Sequence, residues 1–241
     1  LMKKILFIPL IVSIFLSFLM FAQDTIYSDA GNTETNFLAD AVNYTVTSSS
    51  DLPKGVQTVS RRYDLTGQIV SETFYQNFKK KTITGIRTTW TKEGIKRMEA
   101  SYDKGKLHGD LITYWDENNI KRKDYIQKGK FKSGKVWDID GNELEYFPLV
   151  IKAQFPGGQS AMQKFLKEHI KTPKNLTGRV VVKLKIDKIG NLSVEEITGD
   201  KIELKLEALR VIDTMPNWEP AFYDGNPVNY IIRLPIAFAH K

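Results

Sequence analysis

Three histidines, one pair of adjacent glutamates and one glycine-rich tetrad are the side chains whose type or spacing comes nearest to chemistry in this chain. His108, His169 and His240 are scattered; none falls at a metal-ligand spacing or beside a Ser/Asp pair that would form a nucleophilic triad. Glu195 and Glu196 sit on a run that reads as a strand, where neighbours point to opposite faces unless a bulge intervenes, so they make a poor acid/base couple. Phe155-Pro156-Gly157-Gly158 lacks the Lys-Ser/Thr that follows a phosphate cradle and the buried strand that precedes one. It reads as a turn that launches a helix. Cysteine is absent, which excludes disulfides, thiolate metal sites and a cysteine nucleophile. The expectation is a protein that is not an enzyme, with no catalytic residue, no metal and no cofactor.

What remains to do chemistry is backbone. Near the C-terminus, Val228-Asn229-Tyr230-Ile231-Ile232-Arg233-Leu234-Pro235-Ile236-Ala237-Phe238 is an alternating run with a strand pattern that nevertheless contains a proline. Proline has no N–H to donate to a ladder, so a strand carrying one belongs at a sheet edge with that position facing away from its neighbour. Val228, Tyr230, Ile232, Leu234, Ile236 and Phe238 are expected to face the core. The backbone of Asn229, Ile231, Arg233 and Ala237 is expected to offer an unpaired row to another chain.

The elements that must position this strand are readable upstream. After Ser160, Ala161, Met162, Phe165, Leu166, His169 and Ile170 recur at helical spacing, and Thr172-Pro173 stops the helix. Val180, Val182, Leu184 and Ile186 alternate with Val181, Lys183, Lys185 and Asp187 as a half-buried strand. A turn at Ile189-Gly190-Asn191 leads to a return strand through Leu192, Val194 and Ile197, where a phase slip at Glu195-Glu196 suggests a bulge. Asp200 and Glu203 fit an N-cap and its partner, and Leu204, Ala208, Val211, Ile212 and Met215 form one face of a second helix that Pro216 closes. The order is α-β-β-α-β. A right-handed crossover over the first strand gives a three-stranded sheet of order 2-1-3, which puts the proline-bearing strand on the edge. Trp218, between Pro216 and Pro220, is expected to pack the crossover onto the sheet.

Six blocks in order, Phe155-Pro156-Gly157-Gly158, Gly178-Arg179-Val180-Val181-Val182, Glu207-Ala208-Leu209-Arg210, Met215-Pro216-Asn217-Trp218-Glu219-Pro220, Gly225-Asn226-Pro227-Val228 and Leu234-Pro235-Ile236-Ala237-Phe238, resemble the TonB C-terminal domain in the form common in Bacteroidetes-type envelope proteins. The resemblance covers residues 147–241. It implies a periplasmic domain whose last strand pairs with a short extended peptide of an outer-membrane transporter or receptor. The full energy transducers of that family work with the ExbB-ExbD inner-membrane motor through a retained membrane helix, typically with a histidine, and a long proline-rich arm. The apolar run at this N-terminus has no histidine and no proline-rich tract separates the modules, so a periplasmic adaptor fits better than energy transduction.

Residues 1–22 read as an export signal: Lys3-Lys4, an apolar run from Ile5 to Phe21, and a small-residue cleavage site at Met20-Phe21-Ala22 before Gln23. The run also approaches the length of a spanning helix, and an uncleaved leader would anchor the chain in the inner membrane. The expected location is the periplasm or envelope of a Gram-negative bacterium, and nucleic acid is not an expected partner there. Residues 23–58, rich in Ser, Thr, Asn and Asp, read as a flexible linker.

From 59 to 146 the chain repeats itself at a period near two dozen residues. Gly85, Gly109 and Gly134 mark one phase, Tyr75, Tyr102 and Tyr125 a second, and Trp90, Tyr114 and Trp137 a third. Such short hairpins are stable only when stacked into one sheet. Lys106-Leu107-His108-Gly109-Asp110-Leu111-Ile112-Thr113-Tyr114-Trp115 resembles the MORN-variant repeats of YwqK-type proteins. Trp90, Tyr102, Tyr114, Trp115, Tyr125 and Trp137 are expected to pack against successive hairpins; the alternative is a lipid- or glycan-binding surface. Gly67, Gly94, Asn119 and Gly141 are expected at turns, and the glycines to supply turn conformations with positive φ. The fold class is therefore α+β, an antiparallel β-hairpin repeat module followed by the small α-β-β-α-β domain. The net charge of +7 is spread along the chain with no single basic block, the pattern of a solvated surface, with attraction to anionic lipid headgroups as the sharper reading.

Overall fold

The computed structural model describes residues 24–28, 34, 41–52, 55–173 and 176–239. The apolar leader and His240 lie outside them. The chain divides after Tyr146 into two compact units, mostly antiparallel strands with two helices.

The first unit is one antiparallel meander. Its strands are β1 (Asp24–Ser28), β2 (Asn43–Leu52), β3 (Gly55–Asp64), β4 (Ile69–Asn77), β5 (Thr82–Trp90), β6 (Lys96–Asp103), β7 (Lys106–Tyr114), β8 (Ile120–Gln127), β9 (Lys130–Trp137) and β10 (Glu143–Leu144), and each pairs with the next. Two strands and two turns make one period of the sequence repeat. At one end, aspartates close the loops: Asp64, Asp116 and Asp138 each accept, through Oδ1, N–H groups two to four residues ahead. At the other end β6–β7 and β8–β9 turn through two residues with positive φ, Lys104-Gly105 (48° and 78°) and Lys128-Gly129 (50° and 78°). These are the dihedrals of a type I′ hairpin turn, whose twist matches that of the flanking strands.

Two expectations change here. The segment read as a linker carries β1, β2 and the start of β3, because its threonines and tyrosines are good strand residues once neighbours pair with them. Tyr44 stacks on Tyr63 across β2–β3 with ring centroids 5.2 Å apart, and Thr47 and Thr58 are buried. Second, Gly67, Gly94 and Gly141 have the positive φ expected of them at turns, whereas Gly85, Gly109 and Gly134 lie within strands. Gly85 and Gly109 have positive φ beside register shifts, whereas Gly134 faces Asp124 in register. The core of the meander is made by Ala100, Leu111, Ile126 and Val136, together with a fully buried Arg122 and the adjacent Asp124.

The second unit contains β11 (Val150–Ile151), α1 (Gly158–His169), β12 (Gly178–Ile186), β13 (Leu192–Thr198), α2 (Ile202–Asp213), β14 (Ala221–Tyr223), β15 (Asn226–Val228) and β16 (Tyr230–Phe238). One sheet runs β13-β12-β16 and a second, small one runs β11-β14-β15. Alternation decides the core: Val180, Val182, Leu184 and Ile186 of β12 are fully buried, and Leu204, Ala208 and Ile212 of α2 pack on the first three with Leu234, Ile236 and Phe238. Helix α1 lays Met162, Leu166 and, just past its end, Ile170 against the same cluster.

The Phe155-Pro156-Gly157-Gly158 tetrad turns directly into α1: both glycines have φ of 78° and the Gly158 N–H donates to the Phe155 carbonyl. Phe155 is buried edge-on against Trp218, centroids 5.9 Å apart. The N-cap of α2 is Lys201, which makes no side-chain cap hydrogen bond, so Asp200 does not cap this helix. Lys201 instead reaches the Thr177 carbonyl through Nζ. Among the described residues no helix is long and apolar enough to cross a membrane.

Candidate functional site

In the β13-β12-β16 sheet β12 is central, with neighbours on both sides, so β13 and β16 are its edges. The two edges differ. β13 is interrupted: the register with β12 slips between Lys183 and Leu184, leaving Glu195 as the extra residue. Its outward positions carry the exposed Val194, Glu195 and Glu196, and Lys183 Nζ pairs with Glu195 Oε2 at 3.0 Å. A bulge and charges are the devices that blunt an edge against strand addition.

β16 has neither. Its nine residues pair with Gly178–Ile186 without a register break. Leu234, Ile236 and Phe238 are buried, Tyr230 and Ile232 half-buried, and Ile231, Arg233, Pro235 and Ala237 exposed. Pro235 stands opposite Val181. The Val181 carbonyl turns to the other neighbour, where it accepts the Thr198 hydroxyl at 3.2 Å. In an antiparallel pair both backbone groups of a residue point the same way, so the Val181–Pro235 pair is one that exchanges no hydrogen bonds, and the missing N–H faces outward. By the same alternation Ile231, Arg233 and Ala237 turn their amides and carbonyls to the outer side, and Tyr230, Ile232, Leu234, Ile236 and Phe238 turn theirs to β12. Among the described residues no second strand pairs with β16.

The expected strand thus shortens at its start. Val228 closes β15 and pairs with Ala221, and Asn229 lies between β15 and β16. The Gly225-Asn226-Pro227-Val228 block forms its own hairpin with β14 around Asp224-Gly225, both at positive φ. Three-residue strands leave too short an alternation to read from sequence.

The exposed face beside the edge is basic. Arg179, Val181, Lys183 and Lys185 of β12 stand opposite Ala237, Pro235, Arg233 and Ile231, so a strand laid along β16 would meet Arg233 with Lys183 and Lys185 behind it. These lysines were not singled out as site residues; their place on the polar phase of the β12 alternation is the signal that finds them.

The loops that hold the sheet are charge-locked. Asp187 turns β12 into β13 by accepting from the N–H groups of Ile189 and Asn191 and the Asn191 side chain. The Asn191 amide leads in holding its carboxyl below the usual range, against a smaller opposing effect of burial. Gly190 has no room for a Cβ, which would lie 2.0 Å from the Trp218 carbonyl oxygen. At the other end, Glu207 accepts from Arg210 and from the Lys171 N–H, and Arg210 also donates to the His169 carbonyl. That Arg210 contact chiefly depresses the Glu207 carboxyl. His169 stacks on Phe165 at 3.9 Å, and His108 Nδ1 accepts the Lys128 N–H.

The six repeat aromatics fall in the first unit on three kinds of position. Trp90, Tyr114 and Trp137 end β5, β7 and β9, and Tyr102 and Tyr125 lie within β6 and β8. Trp115 follows β7, donating from Nε1 to the Trp137 carbonyl under Lys121 Nζ. The Tyr114 hydroxyl donates to Glu99 at 2.5 Å; burial and that carboxylate together push it up from its ordinary range. Tyr125 and Trp115 are exposed and the other four half-buried. Tyr125 and Trp137 border a shallow groove of about 260 Å³ with Asp110, Lys123, Ser133 and Lys135. Among the described residues no three His, Cys, Asp or Glu side chains gather as a metal site.

No curated protein and no solved structure matches the chain. Residues 172–239, from the loop before β12 to the end of β16, match the family model of the Gram-negative bacterial TonB protein C-terminal, which supports reading this part of the chain as a TonB-type C-terminal domain.

Proposed function

We propose that this is a Gram-negative envelope protein that clasps an extended segment of an outer-membrane receptor by adding it as a fourth strand on the outer side of β16. It acts as a periplasmic adaptor or a component of TonB-type transport. The observation that carries the reading is the contrast between edges: β13 is bulged and acidic, whereas β16 keeps nine residues in register with an outward proline. The family match at 172–239 supplies the envelope setting. Main-chain pairing would give affinity, and Arg233 with Lys185 would favour acidic residues in the guest. Pro235 supplies a carbonyl but no donor, so the guest's ladder is strongest along Ile231 and Arg233 and weakest opposite Pro235.

A photo-crosslinking residue at Ile231 or Arg233, in cells, tests the reading. The expected product is an adduct with an outer-membrane receptor. Adducts formed only from positions in the first unit, with none from these two, would overturn it. The second reading, an energy transducer engaging the ExbB-ExbD motor, draws on the apolar run Ile5 to Phe21. It requires the native protein to retain that run, and a mature N-terminus at Gln23 excludes it.

A further inference from the structure

The basic residues that look dispersed in sequence are gathered by the meander. In an up-and-down sheet every second connection falls at the same end, so the β4–β5, β6–β7 and β8–β9 turns share one rim. Lys79, Lys80 and Lys81 fill the first turn, Lys104 and Lys106 the second, and Lys128, Lys130 and Lys132 the third. All eight are exposed, and the only acid among these turn residues is Asp103. That is a formal +7, as large as the net charge of the whole chain. Among the described residues no carboxylate forms an ion pair with any of the eight. The opposite end is acidic, with Asp64, Glu93, Asp116, Glu117, Asp138 and Asp140 against Lys92.

The rim is also ordered. The Gly105 N–H donates to the Ile83 carbonyl and the Gly129 N–H to the Leu107 carbonyl, each at 2.8 Å, so each turn is fastened to the start of the preceding hairpin's second strand. Two strand spacings, about 10 Å, therefore separate successive turns. That is close to the screening length at moderate salt, so the three clusters reinforce one another.

We infer that this rim docks the first unit onto an anionic phospholipid bilayer. The lysines are flexible point charges with no arginine among them, which suits mobile headgroups better than a partner demanding fixed bidentate geometry. This inference rests on the charges of the first unit and is independent of strand addition at β16.

Co-sedimentation of the full chain with vesicles tests it. Phosphatidylglycerol-rich vesicles should retain the chain at least about tenfold better than pure phosphatidylcholine vesicles, and raising salt from about 0.05 to about 0.5 M should remove most of that preference. Replacing Lys79, Lys80, Lys106, Lys130 and Lys132 by Gln avoids the positive-φ turn positions and should abolish the preference. Five Gln replacements of exposed lysines elsewhere, at Lys92, Lys164, Lys167, Lys171 and Lys188, should leave it intact, with both variants melting near the parent. A rim variant that still prefers anionic vesicles, a control variant that loses as much, or a parent that binds soluble polyphosphate but not anionic vesicles would each overturn the inference.

Discussion

Arg122 and Asp124 lie two residues apart on one strand and are both buried, their side chains meeting at 3.2 Å with the Tyr146 ring over the guanidinium. Breaking a buried pair leaves an uncompensated charge. Asp124→Ala should therefore destabilise the first unit by about 3 kcal/mol, read as a lowered denaturation midpoint. Gly134 belongs to the same knot, since a Cβ there would come within 2.1 Å of Asp124 Oδ1. Gly134→Ala should cost about 1–3 kcal/mol by overpacking, and in the Asp124→Ala background it should cost clearly less. Equal costs in both backgrounds would contradict this role for the glycine. Sequence spacing found Gly134 but not its reason. A turn glycine and a glycine kept small by a cross-strand carboxylate look alike until the register is known.

At the scale of elements, alternation and helical spacing were legible wherever side chains divide cleanly between core and solvent. β12, the buried face of β16 and the Leu204-Ala208-Val211-Ile212 stripe are such places, as is the bulge at Glu195. The α2 cap was not: Asp200 has the right chemistry, but the Lys201 contact with Thr177 belongs to the tertiary structure. β14 and β15 were hidden by brevity, and β1 and β2 by a polar composition that only cross-strand partners turn into strand. The edge assignment makes a prediction of its own. Arg233→Pro removes an outward N–H and should leave the fold intact while weakening capture of a receptor-derived peptide by about two- to tenfold, the worth of one charge-free ladder bond. Leu234→Pro removes an inward N–H and should unfold the sheet. Fluorescence anisotropy and circular dichroism separate the two, and equal damage from both would show that the parity assigned to β16 is wrong.

For the whole molecule, the α+β character was readable because alternating strand patterns run along the chain and two helical stripes interrupt them in its last third. The distribution of charge was not readable. Lysines about 24 residues apart seem scattered until a meander brings every second turn to one end. The claim on which the account turns is that the outer backbone of β16 is free to accept another strand, and amide hydrogen exchange read residue by residue tests it most directly. Without a partner, the Ile231, Arg233 and Ala237 amides should exchange fast while those of Ile232, Leu234 and Ile236 are protected; saturating receptor-derived peptide should protect Ile231 and Arg233 as well. Outward amides already protected in the free protein, or unchanged when the peptide is bound, would contradict the account.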